Sequence, residues 1–226
     1  MQGTLTLILE TSTPQASLAT VLPDGRLDQR EFTSDRSHNA VLFTPLKEVL
    51  DARGGLEIGR VIVGSGPGSY SGTRVGIAAA QGVAIASACP AVALPSILAV
   101  PSAQGGAACL AIGDARRGSY WTAKVEHFHM TAGPELTDAA GLEKIVRRSL
   151  EAGTSVFTFE DPERFPLTAE LGAQVKLEFP SAARLWQAWH SSDDETRAKW
   201  SAEIPQPMYL KPPHITPAKR SSLVQP

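Results

Sequence analysis

The start of the chain alternates apolar and polar residues in a way that predicts three β-strands. The runs 4–11 and 17–22 are rich in Leu, Ile, Val and Thr, which favour strands. Asp24-Gly25 follows the second run and is typical of a hairpin turn into a third strand near 27–33. We therefore expect three antiparallel strands at the start of the fold.

Apolar residues three and four positions apart then predict a helix. The residues on this helical face are Leu42, Leu46, Val49 and Leu50. Gly54-Gly55 supplies the stop, and a short apolar strand is predicted at 60–63. A glycine-rich segment at 64–72 leads into a helix at 73–87 that is built largely from Gly and Ala.

The same succession begins again in the second half of the chain. A strand is predicted at 107–113, a sharp polar turn at 114–118 and a second strand at 119–128. Further helices are predicted at 138–150 and 181–190, and a further strand at 154–159. Each half opens with strand, turn and strand, which favours a duplicated α/β architecture.

This repeated pattern divides the chain into two lobes and a tail. The first lobe covers 1–103 and the smaller second lobe covers 104–210. The remainder, 211–226, is basic and contains prolines.

Charge narrows the classes of partner. The chain carries 21 Lys and Arg against 23 Asp and Glu, a net charge of -2, which argues against independent tight binding to nucleic acid or to an anionic membrane. Residues 1–113 contain 15 of these charged side chains and residues 114–226 contain 29. A face depleted of charge is typical of a buried core and also of the centre of a protein interface.

Three features that the sequence lacks bear on the cellular compartment of the protein. Cys89 and Cys109 are too few for a disulfide-stapled secreted module, so we expect the cytoplasm. The N-terminal residues lack the pattern of a signal peptide, and we expect none. The uncharged stretch 75–113 is interrupted by Pro90, Pro95 and Pro101, so no transmembrane helix is expected.

The glycine-rich segment has two interpretations. A strand that ends in glycines and opens a helix can aim backbone N–H groups at a phosphate. A P-loop is excluded because no Lys occurs between Lys47 and Lys124, and a dinucleotide fingerprint fails because Ser69 or Ser71 replaces its last glycine. The other interpretation is that the glycines serve a tight backbone turn. The small residues of the following helix likewise favour either packing on the chain's own sheet or close contact with a partner helix.

Catalytic patterns are absent from the sequence. His38 is followed four residues later by Leu42, so no His-x-x-x-His metal motif exists. Tyr70 stands where a nucleophile elbow needs serine, and His127 and His129 have no third ligand nearby. We predict no catalytic residue and no metal site.

Several motifs occur together and in order. They are Ile8-Leu9-Glu10-Thr11-Ser12-Thr13, Gly66-Pro67-Gly68-Ser69-Tyr70-Ser71-Gly72-Thr73-Arg74-Val75-Gly76, Gln81-Gly82 and Asp114-Ala115-Arg116-Arg117-Gly118. With these motifs the chain resembles the bacterial TsaB (YeaZ) family, the accessory subunit in synthesis of threonylcarbamoyladenosine in tRNA. The resemblance is strong over 5–125 and weaker beyond, until 207–211, which is similar to the family's closing strand.

The resemblance implies an α/β fold of the actin-like and Hsp70-like (ASKHA) type, with two lobes built on ribonuclease-H-like mixed sheets. It implies a non-catalytic subunit that activates a TsaD-type transferase, which modifies the adenosine beside the anticodon of tRNAs that read ANN codons. A TsaE-type ATPase binds the pair, and tRNA is bound only within the complex. The implied state of the isolated chain is a homodimer with no cofactor of its own, while ATP and a metal ion enter through partner subunits.

The resemblance also implies an interface of two helices, around 37–52 and 73–87. Its expected contacts are His38, Leu42, Leu46, Val49, Arg74, Gly76, Ile77, Ala80 and Gln81. We expect Gly76→Leu to abolish partner binding while the monomer stays folded.

The remaining motif positions correspond to the superfamily's nucleotide site. The glycine loop contributes Gly66, Pro67, Gly68, Ser69 and Gly72, and the vestigial nucleotide-site positions are Glu10, Thr11, Ser12 and Asp114. The family usually has Asp where this chain has Glu10, and a carboxylate one methylene longer would sit differently around a magnesium nucleotide. The rival hypothesis is an actin-like ATP-binding kinase or hydrolase that uses Glu10, the glycine loop and Asp114.

Overall fold

The computed structural model describes residues 3–33 and 38–210, except for the side chains of 38–40. The strands are Leu5–Glu10 (β1), Gln15–Val21 (β2), Leu27–Thr33 (β3), Ile58–Gly64 (β4), Ala91–Leu94 (β5), Cys109–Asp114 (β6), Tyr120–Glu126 (β7), His129–Thr137 (β8), Ser155–Thr158 (β9) and Lys176–Leu177 (β10). The helices are His38–Asp51 (α1), Tyr70–Ala86 (α2), Pro101–Gln104 (α3), Ala139–Glu151 (α4), Ala169–Gly172 (α5), Ala182–Ser191 (α6) and Asp194–Ala202 (α7). The tail predicted at 211–226 lies outside the described residues.

The first five strands form a mixed sheet in the order β3-β2-β1-β4-β5. β1, β2 and β3 are antiparallel, and the predicted turn at Asp24-Gly25 joins β2 to β3. Gly25 has φ +85°, a backbone angle that glycine adopts without strain. β4 is parallel to β1 and β5 to β4, because α1 and α2 return the chain across the sheet.

The second sheet repeats this topology strand for strand. Its order is β10-β9-β6-β7-β8, in which β6, β7 and β8 are antiparallel and β9 and β10 run parallel to β6. β6 therefore corresponds to β1, and β9 to β4. The predicted actin-like arrangement of two mixed α/β lobes is confirmed.

The two sheets share one apolar core. α1 and α2 cover one face of the first sheet with their own cluster of buried residues. The opposite face packs against α6 and, through it, against the second sheet. This shared cluster includes Ile8, Ile62, Leu94, Ala111, Trp121, Phe157, Leu185 and Trp189. α6 and α7 fall in the predicted second lobe, 104–210, yet they pack on strands of the first sheet.

The closing strand expected at 207–211 is wrong for its described part. Residues 204–209 contain neither helix nor strand. A single backbone hydrogen bond, from Met208 N–H to Ser65 O at 2.8 Å, ties this segment to the first sheet. Among the helices of the described residues, none combines the length and the apolar character that crossing a membrane requires.

α2 approaches the end of β1 too closely for a side chain to lie between them. A Cβ at Gly76 would overlap Thr11 Oγ1, whereas a Cβ at Gly82 on the same helix would meet nothing within 4 Å. Gly76 is buried inside its own lobe, and its place at a partner interface stays a prediction. The contact with Thr11 means that Gly76→Leu would also strain the single chain, so the expectation that the monomer stays folded is untested.

Gly76→Ala is expected to lower the free energy of unfolding by about 1–2 kcal/mol. The methyl group must displace Thr11, and the cost of that displacement exceeds the stability gained from the higher helix propensity of Ala. Gly82→Ala is the matched control and should raise that free energy by at most about 1 kcal/mol. Urea unfolding followed by circular dichroism measures both. Equal stability of the two variants would contradict the close contact.

Candidate functional site

Two segments of the first sheet cross where β1 and β4 end. The 10–12 segment, Glu10-Thr11-Ser12, ends β1, and the glycine loop, 64–72, joins β4 to α2. β1 and β4 are parallel neighbours, so their carboxyl ends meet at the same edge of the sheet. We call this meeting point the loop crossing. It contains every predicted glycine-loop position and three of the four predicted nucleotide-site positions.

Two hydrogen bonds close the loop crossing. The Ser69 N–H donates to the Ser12 carbonyl oxygen at 2.6 Å. The Thr11 hydroxyl donates to the Gly72 carbonyl oxygen at 2.8 Å. Both bonds join residues about 60 positions apart, so they hold the end of β1 against the first turn of α2.

The glycines of the loop make room for the chain's own backbone. Gly66 has φ +87° and precedes the buried Pro67. A Cβ at Gly68 would overlap the Ser12 carbonyl oxygen. Ser69 caps α2 by accepting a hydrogen bond from Gly72 N–H at 3.2 Å. Of the two interpretations of this segment, the tight backbone turn accounts for Gly66, Gly68 and Ser69.

Glu10 is fully buried at the loop crossing. Its Oε1 accepts a hydrogen bond from the Ser12 N–H at 2.8 Å. Its Oε2 lies where a side chain on Gly64 would be, close to Ser96. Burial raises the pKa of Glu10, and the neighbouring polar groups of Ser12 and Ser96 offset only part of this effect. The carboxyl group is therefore turned inward and its ionised form is disfavoured.

Polar atoms without a partner concentrate at the loop crossing. Five buried side-chain oxygen and nitrogen atoms lack a hydrogen-bond partner among the described residues. Two of them, Glu10 Oε2 and Ser12 Oγ, belong to the 10–12 segment, and a third, Thr73 Oγ1, directly follows the glycine loop. Unsatisfied buried polar groups are rare in proteins, and their clustering marks this region as one that stability alone does not explain.

Asp114 belongs to the second sheet, whereas the other predicted nucleotide-site positions belong to the first. It ends β6 in the second sheet and forms an ion pair with Arg116 at 2.9 Å. Its backbone N–H donates to Glu160 Oε1 at 3.2 Å. Among the hydrogen bonds and ion pairs of the described chain, none joins Asp114 to the 10–12 segment.

The groups that the resemblance assigned to a nucleotide are turned toward the chain's own backbone. The Ser12 carbonyl oxygen lies beside Gly68, and the Glu10 carboxyl group faces Gly64 and the Ser12 N–H. In the described residues no group of three or more His, Cys, Asp and Glu side chains is arranged to hold a metal ion. The prediction that this chain has no catalytic residue and no metal site of its own stays a prediction.

Most residues predicted at the partner interface are buried inside their own lobe. Leu42, Leu46, Val49, Ile77 and Ala80 are each at most 8% exposed and form the cluster under α1 and α2. In the single chain these side chains pack on its own sheet, as the apolar spacing of a helix indicates, and their role as partner contacts stays a prediction. The His38 side chain lies outside the described residues.

Arg74 and Gln81 lie away from the sheet. Arg74 is exposed, with its guanidinium 4.8 Å from the Tyr70 ring centroid, and it also donates to the Tyr70 hydroxyl. Gln81 is half-buried, and its Nε2 donates to the Pro205 carbonyl oxygen at 3.0 Å. The 203–210 segment is thus fastened to α2 by Gln81 and to the glycine loop by the Met208 N–H.

Exposed apolar side chains concentrate on the outward side of these elements. Seven large hydrophobic residues are exposed among the described residues: Phe43, Tyr70, Ile85, Leu136, Leu177, Ile204 and Tyr209. The five that lie on α1, α2 and the 203–210 segment define what we call the outward face: Phe43, Tyr70, Ile85, Ile204 and Tyr209. Sequence reasoning missed these residues. A signal was present for α2, since Arg74, Ala78, Gln81 and Ile85 share one helical stripe with a single charge.

Glu10→Gln is expected to remove a pH dependence of stability. Because the folded state raises the pKa of Glu10 above 4.5, the native protein binds the extra proton, and wild-type stability falls as pH rises from about 4.5 through the raised pKa. Glu10→Gln should lack this fall, whose slope for one proton is at most about 1.4 kcal/mol per pH unit. Urea unfolding over a pH series measures the difference, with the exposed Glu57→Gln as control. Parallel pH profiles for wild type and Glu10→Gln would show that the carboxyl group is not held neutral.

The chain is similar to known proteins over most of its length. The family model described as TsaD, tRNA N6-adenosine threonylcarbamoyltransferase, matches residues 32–181. The tRNA threonylcarbamoyladenosine biosynthesis protein TsaB of Escherichia coli is 29% identical over 122 residues, which cover 51% of this chain and 52% of that protein. The protein of the same name from Haemophilus influenzae is 33% identical over 106 residues, covering 46% and 44%. The chain spans about half the length of the curated relatives it matches.

A solved structure extends the likeness of fold to nearly the whole chain. The crystal structure of a Pseudomonas aeruginosa protein with similarity to peptidase YEAZ has a TM-score of 0.69 and 22% identity, and it covers 92% of this chain and 100% of its own. The family model matches more than half of the chain by sequence. The chain therefore belongs to the tRNA N6-adenosine threonylcarbamoyltransferase family and, within it, to the TsaB (YeaZ) branch.

Proposed function

We propose that this protein is a non-catalytic accessory subunit that docks on a TsaD-type catalytic paralogue and activates it in the formation of threonylcarbamoyladenosine in tRNA. The relatives from Escherichia coli and Haemophilus influenzae are named as biosynthesis proteins of that modified nucleoside, which supports the pathway. The observation that carries the docking role is the outward face, where five of the seven exposed large hydrophobic residues of the described chain gather.

The composition of α2 supports docking through this face. Arg74 is the single charged residue among its 17 residues, although Ser71, Ala78, Gly82 and Ile85 face solvent. A helix that stays in water normally carries a charged outer face. Small exposed residues let a second helix approach closely, and Tyr70 and Ile85 offer large apolar contacts on either side of them.

The paralogue is the partner that this geometry favours. The family model that matches this chain is that of the catalytic transferase, so the two chains share the fold that carries α1 and α2. In a homodimer of this chain, the two copies of the α1–α2 helix pair can pack on each other about a two-fold axis. In a heterodimer, the corresponding helix pair of the paralogue takes the place of the second copy.

The other participants enter through the assembled complex in this proposal. ATP and a metal ion are bound by the partner subunits, one of which is a TsaE-type ATPase. The net charge of -2 gives this chain little attraction of its own for tRNA, so tRNA binds the complex rather than the isolated subunit.

Ile85→Asp is expected to weaken binding of the paralogue by about thirtyfold or more, because it replaces a large exposed apolar side chain of the outward face with a charge. Leu177→Asp is the matched control, since Leu177 is also an exposed aliphatic side chain but lies on the second sheet. The affinity of this variant for the paralogue should stay unchanged. The measurement is complex mass by light scattering after size exclusion, together with the dissociation constant. Equal loss in both variants, or none in either, would remove the outward face from the interface.

The isolated chain is expected not to bind ATP with magnesium, because the loop crossing is filled by its own 10–12 segment. Isothermal titration calorimetry of the purified chain measures this, and Glu10→Ala is the companion variant. Tight binding that disappears in Glu10→Ala would favour the rival, an ATP-binding kinase or hydrolase.

A further inference from the structure

We propose that the loop crossing positions α2 for docking and that Thr11 is the positioning residue; this rests on the proposed function, because docking is the role that it serves. The 10–12 segment acts here as an anchor for the helix that carries much of the outward face. Thr11 itself is buried.

Residues 11 and 12 contact the beginning of α2 at three points. The Ser12 carbonyl accepts from Ser69, the residue that caps the helix. The Thr11 hydroxyl donates to Gly72 in the first turn, and its oxygen lies directly under Gly76 one turn later. Contacts at the cap, the first turn and the second turn fix both the height of the helix above the sheet and its rotation about its own axis.

The rotation of α2 decides what the outward face presents. Residues four positions apart lie on the same side of a helix, so Gly72 and Gly76 face Thr11 while Arg74 and Ala78 face away from it. Tyr70 is the first residue of α2, immediately after the cap residue Ser69. The Arg74 guanidinium stacks on the Tyr70 ring. A helix that frays or turns at this end therefore displaces Tyr70 and Arg74 together.

The unpartnered polar atoms of the loop crossing indicate that its residues serve to position α2 rather than to add stability. Glu10 Oε2, Ser12 Oγ and Thr73 Oγ1 are buried there without a partner. A packing chosen for stability alone would replace such groups with apolar ones, because unsatisfied polar atoms are costly to bury. Retained unsatisfied groups mark places where position matters more than stability.

The test compares two threonines that each donate one hydrogen bond of 2.8 Å to a backbone carbonyl. Thr11 donates to Gly72 in α2, and Thr13 donates to Gln15 two residues away in its own loop. Valine keeps the shape of threonine and removes the hydroxyl. Thr11→Val is expected to weaken binding of the TsaD-type paralogue by about tenfold, the factor that one lost hydrogen bond of ordinary strength produces. Thr13→Val should stay within about twofold of wild type.

Two further readouts separate positioning from a general loss of stability. Affinities are measured at a temperature where circular dichroism shows every variant to be folded. Hydrogen exchange of the isolated chain should become faster at residues 70–76 in Thr11→Val and remain unchanged there in Thr13→Val. Thr11→Ser, which keeps the hydroxyl, should restore both the affinity and the exchange rate.

The outcomes distinguish this proposal from the proposed function. Wild-type affinity in Thr11→Val, or a loss that Thr11→Ser does not restore, would overturn the positioning role while the accessory function stands. If the wild-type chain does not bind the paralogue at all, the proposed function fails, and unchanged exchange at residues 70–76 in Thr11→Val would overturn the anchor as well. Faster exchange there together with the affinity loss would support both.

Discussion

The properties of α2 depend on the two hydrogen bonds that close the loop crossing. The Ser12 carbonyl and the Thr11 hydroxyl both bind the start of this helix. A helix N-terminus that opens from a glycine loop is a natural place for a phosphate, because its backbone N–H groups are unpaired and point outward. Here the Ser69 N–H is bound by the Ser12 carbonyl oxygen and the Gly72 N–H by the Ser69 side chain. Two donors at the start of α2 are therefore used by the chain itself, and the Ser12 contact also fixes the helix.

The shared core adds a constraint on motion. α6 packs on β1, β2 and β4 of the first sheet, and its Leu185 and Trp189 belong to the cluster that also contains residues of the second sheet. If the sheets moved apart around a ligand, this common cluster would be divided, at about 25 cal/mol for each Å² of apolar area exposed. Enzymes that close around a substrate need a junction that opens easily. This junction is part of the core, which favours a rigid subunit.

Periodicity in the sequence predicted the elements well and the interface poorly. Strands and helices with a regular apolar pattern were confirmed, whereas α7 is almost wholly polar and β8 is interrupted by Gly133-Pro134, so neither gave a pattern to detect. Leu42 and Ile77 were expected at a partner interface from the family resemblance, whereas their regular spacing indicates the side that packs on the chain's own sheet, where both are buried. The outward side of α2 could have been predicted from its lack of charge, since α2 has few of the charged residues that a solvent-facing helix carries. The loop crossing could not be predicted, because it joins residues about 60 positions apart.

Glu10 shows how the site and the docking role are connected. Gly64 has no side chain, and this leaves room for a carboxyl group one methylene longer than the aspartate that the family usually has. The longer side chain binds its own backbone at Ser12, and burial disfavours its charge. The carboxyl group is turned inward, away from the solvent side of the glycine loop. The neighbouring Thr11 and Ser12 hold the first turn of α2 in place, which is the contact on which the proposed docking role depends.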